Sequence, residues 1–176
     1  MEIQKICVRA DDHIGPCRYL MGYCALDGRS GHEVGRALLQ QLYTEEIGGK
    51  MPDILIEERG KPYFSEGNVY FSISHTKAYA FCVLADRPVG IDAEELSRRA
   101  NLKLAEKILS PGELAQYEVA EDKNRALLTF WVLKEAAAKC SGEGLRGYPN
   151  QTNFALSDPR VTEIDGCLLA VVIKED

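Results

Sequence analysis

The pattern of apolar and polar residues predicts one long helix, over residues 124–141. Most residues of this stretch are good helix formers, and neither glycine nor proline interrupts them before Gly142. Apolar residues recur at steps of three and four, which gives the helix one mostly apolar face. Glu135 and Lys139 are four residues apart and therefore share one side. The simplest interpretation is a core helix with a surface ion pair.

An earlier helix is predicted over residues 31–43, where Val34, Leu38 and Leu42 form an apolar stripe. The stretch 11–30 contains a Gly-Pro and an Asp-Gly pair, so we predict loop or short turns there. A turn at residues 60–63 and a loop at 142–150 follow from the same kind of signal. Strands are predicted, from alternation and turn signals, at residues 2–9, 54–57, 69–74, 79–85, 89–95, 154–156, 161–164 and 168–173.

Two further helices are predicted between the strand at 89–95 and the long helix. The first covers residues 102–109, and the second begins at Ser110. Ser110 stands at the N-cap, Pro111 at the first helical position and Glu113 three residues after the serine, which is a capping-box pattern. Capping of this helix would by itself explain a glutamate at position 113.

A candidate metal site lies in the stretch Val-Gly-Ile-Asp-Ala-Glu-Glu at residues 89–95. Asp92 and Glu94 are two residues apart, so an extended chain points both carboxylates to the same face. Neighbouring carboxylates repel each other unless a cation or a proton lies between them. A hard oxygen site for Mg²⁺ takes one or two carboxylates with water and phosphate oxygens. Glu135 is the candidate third ligand, and a solvated strand end is the alternative.

Composition narrows the classes of function. The chain has 176 residues, 45% of them hydrophobic, and a net charge of −6, which disfavours a general nucleic-acid binder. Six scattered cysteines without a Cys-x-x-Cys pair indicate free thiols in a reducing cytosol rather than a zinc site or a disulfide framework. The polar start and the lack of a long apolar run predict neither a signal peptide nor a membrane span. We therefore expect a cytoplasmic protein.

Four motifs, in order, resemble those of the 4′-phosphopantetheinyl transferases, and of their Sfp-type members in particular. They cover about residues 59–144 and comprise Gly60-Lys61-Pro62, Phe71-Ser72-Ile73-Ser74-His75, Gly90-x-Asp92-x-Glu94 and Trp131-x-x-Lys134-Glu135-x-x-x-Lys139. The resemblance implies an α+β fold of two similar α/β lobes, with mostly antiparallel sheets and a long helix packed on each. It implies a coenzyme A-binding lobe at 1–87, a metal-binding and catalytic lobe at 88–176, and a monomer. The trimeric single-domain synthase is the neighbouring type, and the two upstream motifs argue against it.

The implied reaction moves the 4′-phosphopantetheine arm of coenzyme A onto a serine of an apo acyl or peptidyl carrier protein and releases 3′,5′-ADP. The implied metal is Mg²⁺, with Mn²⁺ as an alternative, held by Asp92, Glu94 and Glu135. Glu135 is the first candidate for the base and Glu113 the second, while Lys139 faces the diphosphate. The implied coenzyme contacts also include Lys61, Ser74, His75 and Lys134. His32 and Arg36 are candidates for the 3′-phosphate, where the usual basic residue of the family is not obvious.

The implied partner is an acidic carrier protein, which a local basic patch would attract. Arg98, Arg99, Lys103 and Lys107 are candidates for that patch, and an ordinary solvated face is the alternative. An inactive relative that binds coenzyme A or a carrier protein without transfer is an alternative function. A different Mg²⁺-dependent phosphoryl-transfer enzyme is another, although the sequence lacks the glycine-rich phosphate loops of such enzymes.

Overall fold

The computed structural model describes residues 2–8, 19–145 and 151–175. These residues form an α+β structure, which confirms the predicted fold class. The α-helices are α1 (Gly31–Leu42), α2 (Ala105–Ile108), α3 (Pro111–Val119) and α4 (Lys123–Ser141), with a π-helical turn at Tyr43–Ile47 and a 3₁₀ turn at Leu102–Leu104. The strands are β1 (Gln4–Val8), β2 (Tyr19–Ala25), β3 (Ile54–Ile56), β4 (Pro62–Phe64), β5 (Tyr70–His75), β6 (Tyr79–Ala85), β7 (Val89–Glu95), β8 (Val161–Ile164) and β9 (Cys167–Ile173).

The strands pair antiparallel in three sheets. The first has the order β1-β2-β6-β5, the second is the ribbon β3-β4, and the third has the order β7-β9-β8. Apolar clusters fill the space between α1 and the first sheet, between the first and third sheets, and between the third sheet and α4. The layers therefore run helix, sheet, sheet, helix. Among the helices of the described residues, none combines the length and apolarity that crossing a membrane requires.

The first and third sheets also meet along the edge strands β5 and β7. Ser72 and Ser74 lie on one face of β5 and point their hydroxyls at β7. The Ile91 N–H donates to Ser72 Oγ at 3.1 Å, and the Ala93 N–H donates to Ser74 Oγ at 3.2 Å. Serine hydroxyls thus satisfy edge groups of β7 that have no strand partner on that side. We call this contact the serine seam.

Helix α4 lies directly on β7 because residue 90 is glycine. A Cβ at Gly90 would overlap the carbonyl oxygen of Ala136 and the nitrogen of Cys140. Along β7, residues 90, 92 and 94 share the face that receives α4. The helix starts at Asp122, whose side chain accepts the Arg125 N–H at 2.9 Å, and ends at Gly142 in the left-handed conformation. The long predicted helix is confirmed, and Asp92 is placed beneath it.

Most predicted strands are confirmed. Asp165 and Gly166 form the turn between β8 and β9, and both have positive φ. The prediction of loop over 11–30 is wrong for β2, because turn signals on both sides concealed a strand that is apolar on both faces. Residues 11–18 of that stretch lie outside the described part of the chain. The predicted turn at 60–63 runs into β4 at Pro62.

The strand predicted at 154–156 is also wrong. The Phe154 N–H donates to Glu113 Oε1 at 2.9 Å, and the Leu156 N–H donates to Gln116 Oε1 at 3.0 Å. Side chains of α3 therefore take the backbone groups that a strand partner would need. The helix predicted at 102–109 is a 3₁₀ turn followed by one short helix, and residues 146–150 of the predicted loop 142–150 are not described.

The proposed division between residues 87 and 88 stays a prediction. All strands of the first sheet precede it, and all strands of the third sheet follow it. The seam and the shared apolar cluster between these sheets join the two parts closely.

Candidate active site

A cleft of about 270 Å³ opens where the turn before β4, strand β5 and the second half of α4 meet. Three of the predicted site residues line it: Lys61, Glu135 and Lys139. Its other lining residues are Arg59, Gly60, Pro62, Phe71, Ser72, Ile73, Ala138, Gly142 and Gly144. Lys61 and Glu135 are 74 residues apart in the sequence, and both line this one concave site.

Asp92 forms an ion pair with Lys139, and one of its oxygens has no partner within residues 2–8, 19–145 and 151–175. Lys139 Nζ lies 2.8 Å from Asp92 Oδ1, 3.0 Å from the carbonyl oxygen of Ile91 and 3.3 Å from Ser74 Oγ. Ser74 Oγ lies 3.2 Å from the same Asp92 Oδ1. Asp92 Oδ2 is buried and has no hydrogen-bond partner among the described residues. A buried carboxylate oxygen is costly to leave unpaired, so this atom marks a place for a ligand.

Glu135 shares the electrostatic environment of Asp92. Burial raises the pKa of the Glu135 carboxyl, the negative charge of Asp92 raises this pKa further, and Lys139 opposes both effects. Two carboxylates that repel each other beside an unpaired oxygen are a donor set suited to a hard divalent cation. Asp92 and Glu135 therefore fit the predicted metal, and the raised pKa also suits a group that accepts a proton.

Glu94 forms an ion pair with a residue outside this site. Its carboxylate is bound to Arg98, whose guanidinium lies 6.0 Å from the centre of the Trp131 ring. Within the described part of the chain, no group of three or more His, Cys, Asp or Glu side chains is gathered for a metal ion. The structure thus brings together two of the three predicted ligands, and Glu94 would have to leave Arg98 to join them.

Glu113 and Lys134 form a separate ion pair, 2.7 Å apart and almost fully buried. Glu113 Oε2 also accepts the Ser110 N–H at 2.8 Å, and Oε1 accepts the Phe154 N–H. Lys134 Nζ donates to Thr152 Oγ1 at 3.0 Å. Burial lowers the pKa of Lys134, whereas the hydrogen bond and the charge of Glu113 raise it. Neither residue lines the cleft, so their placement argues against the predicted roles as second base and coenzyme contact.

The remaining predicted contacts lie around α1 and the turn before β4. Lys61 Nζ donates to the carbonyl oxygen of Cys140, at the end of α4, over 2.5 Å. His75 is exposed and packs against Gly31, at the start of α1, where a Cβ would meet its ring. His32 is exposed and Arg36 half-buried on the same helix, outside the cleft lining. The cleft is thus basic at Lys61, with the histidines grouped at the start of α1.

Sequence reasoning missed two residues at this site. Arg59 lines the cleft two residues before Lys61, and the run Arg-Gly-Lys-Pro was the signal available. Gly90 allows α4 to approach β7, and a glycine within a strand was the hint of a close backbone contact.

Comparison with known proteins finds similarity to one family. A family model described as the 4′-phosphopantetheinyl transferase superfamily matches residues 88–169. The 4′-phosphopantetheinyl transferase gsp of Aneurinibacillus migulanus is 28% identical over 116 residues, which is 64% of this chain and 48% of that protein. The 4′-phosphopantetheinyl transferase HetI of a Nostoc species is 31% identical over 124 residues, 63% of this chain and 51% of that protein. A holo-[acyl-carrier-protein] synthase of Yersinia enterocolitica is 41% identical over 64 residues, 33% of this chain and 51% of that protein.

These matches agree with the motifs and with the α+β fold, and they make residues 88–169 similar to the 4′-phosphopantetheinyl transferase superfamily. The likeness to gsp and HetI is consistent with the Sfp-type members. The chain spans about half the length of the curated relatives it matches.

Proposed function

We propose that this chain transfers the 4′-phosphopantetheine arm of coenzyme A to a serine of an apo carrier protein. The observation that carries the proposal is the cleft itself, where Lys139 joins Glu135 and Lys61 and contacts the partly unpaired carboxylate of Asp92. The match of residues 88–169 to the superfamily model and the relatives named as 4′-phosphopantetheinyl transferases support it.

The reaction requires charge neutralisation, alignment and removal of one proton. The serine oxygen bonds to the pantetheine-side phosphorus, the bond from that phosphorus to the bridging oxygen breaks, and 3′,5′-ADP leaves with the electron pair. Glu135 is our candidate for the group that takes the serine proton, since burial and the charge of Asp92 raise its pKa. Lys139 lines the cleft and is a third exposed, so its ammonium can meet the diphosphate oxygens.

A divalent metal, Mg²⁺ or Mn²⁺, would supply Lewis-acid neutralisation of the diphosphate charge. Asp92 through Oδ2 and Glu135 are the residues that would hold it, with Glu94 as a further ligand once released from Arg98. Lys61 and Arg59 are candidates for the remaining phosphate contacts, because both line the cleft. For Lys61 this role would replace its bond to the end of α4.

The partner that fits is an acidic carrier protein. The predicted basic patch of Arg98, Arg99, Lys103 and Lys107 is exposed, between the end of β7 and α2. Reversing Arg98 and Arg99 to glutamate is expected to raise the KM for carrier protein and to leave that for coenzyme A unchanged. A monomeric, cytoplasmic enzyme of the Sfp type is the form we propose.

The test is intact-mass spectrometry of an apo acyl carrier protein incubated with this chain, coenzyme A and Mg²⁺. The expected result is a mass gain of one phosphopantetheine arm, absent with Asp92→Ala. Coenzyme A binding without any gain, across acyl and peptidyl carrier proteins, would instead indicate a relative that binds without transfer.

A further inference from the structure

Ser74 uses its whole hydrogen-bonding capacity inside the protein. A serine hydroxyl donates one hydrogen bond and accepts two. Ser74 Oγ accepts from the Ala93 N–H at 3.2 Å and from Lys139 Nζ at 3.3 Å, which leaves its proton for Asp92 Oδ1 at 3.2 Å. The residue is only 6% exposed. A phosphate oxygen would need that proton, so the structure does not favour the predicted role of Ser74 as a coenzyme contact.

The same bonds make the two oxygens of Asp92 unequal. Oδ1 accepts from both Ser74 and Lys139, whereas Oδ2 is buried and has no hydrogen-bond partner in the described part of the chain. Ser74 is fixed in turn by the backbone of β7, through the Ala93 N–H. Ser74 and Lys139 together therefore set the rotation of the Asp92 carboxylate, and a carboxylate held by one oxygen presents the other.

We propose that Ser74 is a positioning residue, which holds Asp92 so that Oδ2 is the atom available to a divalent cation. The proposal rests on the proposed function, since it deepens the same site. It gives the hydroxyl a role in metal affinity and not in the recognition of coenzyme phosphates.

The chain contains a matched control at Ser72. Ser72 lies on the same face of β5, is also 6% exposed, and accepts the Ile91 N–H of β7 at 3.1 Å. The hydrogen bonds to Asp92 come from Ser74 and Lys139 and not from Ser72. Removing either hydroxyl takes one hydrogen bond from the seam, but only the loss at Ser74 also removes a hydrogen bond to Asp92.

The experiment measures Mn²⁺ binding by electron paramagnetic resonance, with coenzyme A present, in wild type, Ser74→Ala, Ser74→Thr and Ser72→Ala. We expect Ser74→Ala to weaken Mn²⁺ affinity by about 10-fold or more, as loss of a group that orients a metal ligand does. Threonine keeps the hydroxyl and is expected to restore the affinity. Ser72 lines the cleft but has no hydrogen bond to Asp92, so Ser72→Ala is expected to weaken Mn²⁺ affinity less than Ser74→Ala does. Coenzyme A affinity in EDTA, measured by calorimetry, is expected to stay the same in Ser74→Ala.

Equal losses of Mn²⁺ affinity at Ser72 and Ser74 would overturn the proposal, because the seam would then act only as structure. A loss of coenzyme A affinity by Ser74→Ala in EDTA would overturn the proposal and indicate that Ser74 contacts a coenzyme phosphate. A wild-type protein that binds no Mn²⁺ would also overturn the proposal, because Asp92 would then hold no cation. If Ser74→Ala does not fold, Ser74→Cys, which weakens the same bonds, is expected to show the same loss of affinity. Failure of transfer in the mass assay, with the Ser74 effect intact, would remove the proposed function and leave the role of Ser74.

Discussion

Helix α4 supplies a lysine to each of two ion pairs with buried carboxylates, and the two pairs differ in one respect. Lys134 binds Glu113, and Lys139 binds Asp92. Lys134 and Lys139 are five positions apart in the sequence, so their side chains leave the helix in different directions. Both oxygens of Glu113 accept hydrogen bonds, whereas Asp92 Oδ2 accepts none among the described residues. We call the Glu113–Lys134 pair closed, because both carboxylate oxygens accept hydrogen bonds, and the Asp92–Lys139 pair open, because one carboxylate oxygen accepts none from the described residues.

The comparison shows that a buried charge does not by itself mark a site. A closed pair can take a ligand only by giving up bonds that it already makes, and leaving a buried charge unpaired costs several kcal/mol. The open pair has a carboxylate oxygen that no described residue bonds, and its lysine lines the cleft. We therefore assign stability to the Glu113–Lys134 pair and chemistry to the Asp92–Lys139 pair.

Removal of divalent metal should have the largest effect, and only on the open pair. EDTA is expected to abolish transfer, because the Lewis acid that would neutralise the diphosphate charge beside Asp92 and Glu135 is then removed, and the lysines of the cleft do not replace it. The free energy of unfolding is expected to change by less than about 1 kcal/mol, since Lys139 already accompanies Asp92. The mass assay and urea unfolding, each with and without EDTA, measure the two effects. Full transfer in EDTA would contradict the metal assignment.

Lys134→Met tests the closed pair. The substitution leaves Glu113 charged and buried, so the free energy of unfolding is expected to fall by about 3–5 kcal/mol. Urea denaturation measures this loss, and the double variant with Glu113→Gln should recover part of it. At a temperature where the variant is folded, its KM for coenzyme A is expected to match wild type. A raised KM with unchanged stability would return Lys134 to the coenzyme site.

Lys139→Met tests the open pair by the same chemical change. The ammonium that faces the cleft is lost, and kcat/KM for transfer is expected to fall about 100-fold. The free energy of unfolding is expected to fall by less than in Lys134→Met, because the Lys139 side chain is a third exposed and Asp92 keeps the hydrogen bond from Ser74. Steady-state kinetics with apo carrier protein provide the measurement. A stability loss as large as that of Lys134→Met would remove the distinction between the pairs.

Glu94→Gln sharpens the comparison within the metal site and should have the smallest effect. Glu94 is bound to Arg98 and not gathered with Asp92, so its loss is expected to lower kcat/KM about 10-fold, the low end for a group that supports a metal site. Kinetics at several Mg²⁺ concentrations should show a shift in the Mg²⁺ requirement. An effect as large as that of losing Asp92 would show that Glu94 is a full ligand.

The sequence predicts the parts of the site that local spacing determines. Asp92 and Glu94 are two residues apart on a strand and therefore share one face. Glu135 and Lys139 are four residues apart on a helix and therefore share one side. The motif around Lys61 belongs to a turn whose glycine and proline are visible in the sequence. These are short-range regularities, and they located the residues that the structure brings to the cleft.

The partners of these residues depend on packing, which the sequence pattern does not contain. Glu113 looked like a capping-box residue, and it is one, but its second role as the partner of Lys134 arises because α3 packs on α4. Likewise, the salt bridge of Glu94 to Arg98 and the serine seam join groups that only the folded chain places together. Strand β2 was missed because both of its faces are buried, which hides the alternation.

The most direct test of the contrast measures transfer rate and unfolding free energy together, in Asp92→Asn and Glu113→Gln. Both substitutions remove one buried negative charge and keep the shape of the side chain. We predict that Asp92→Asn lowers the transfer rate about 1,000-fold, a loss of several kcal/mol of transition-state stabilisation, and changes the free energy of unfolding by less than about 1 kcal/mol. Glu113→Gln should lower that free energy by about 3 kcal/mol and keep the rate of the folded protein. Loss of both properties in both variants would contradict the division between an open, functional pair and a closed, structural one.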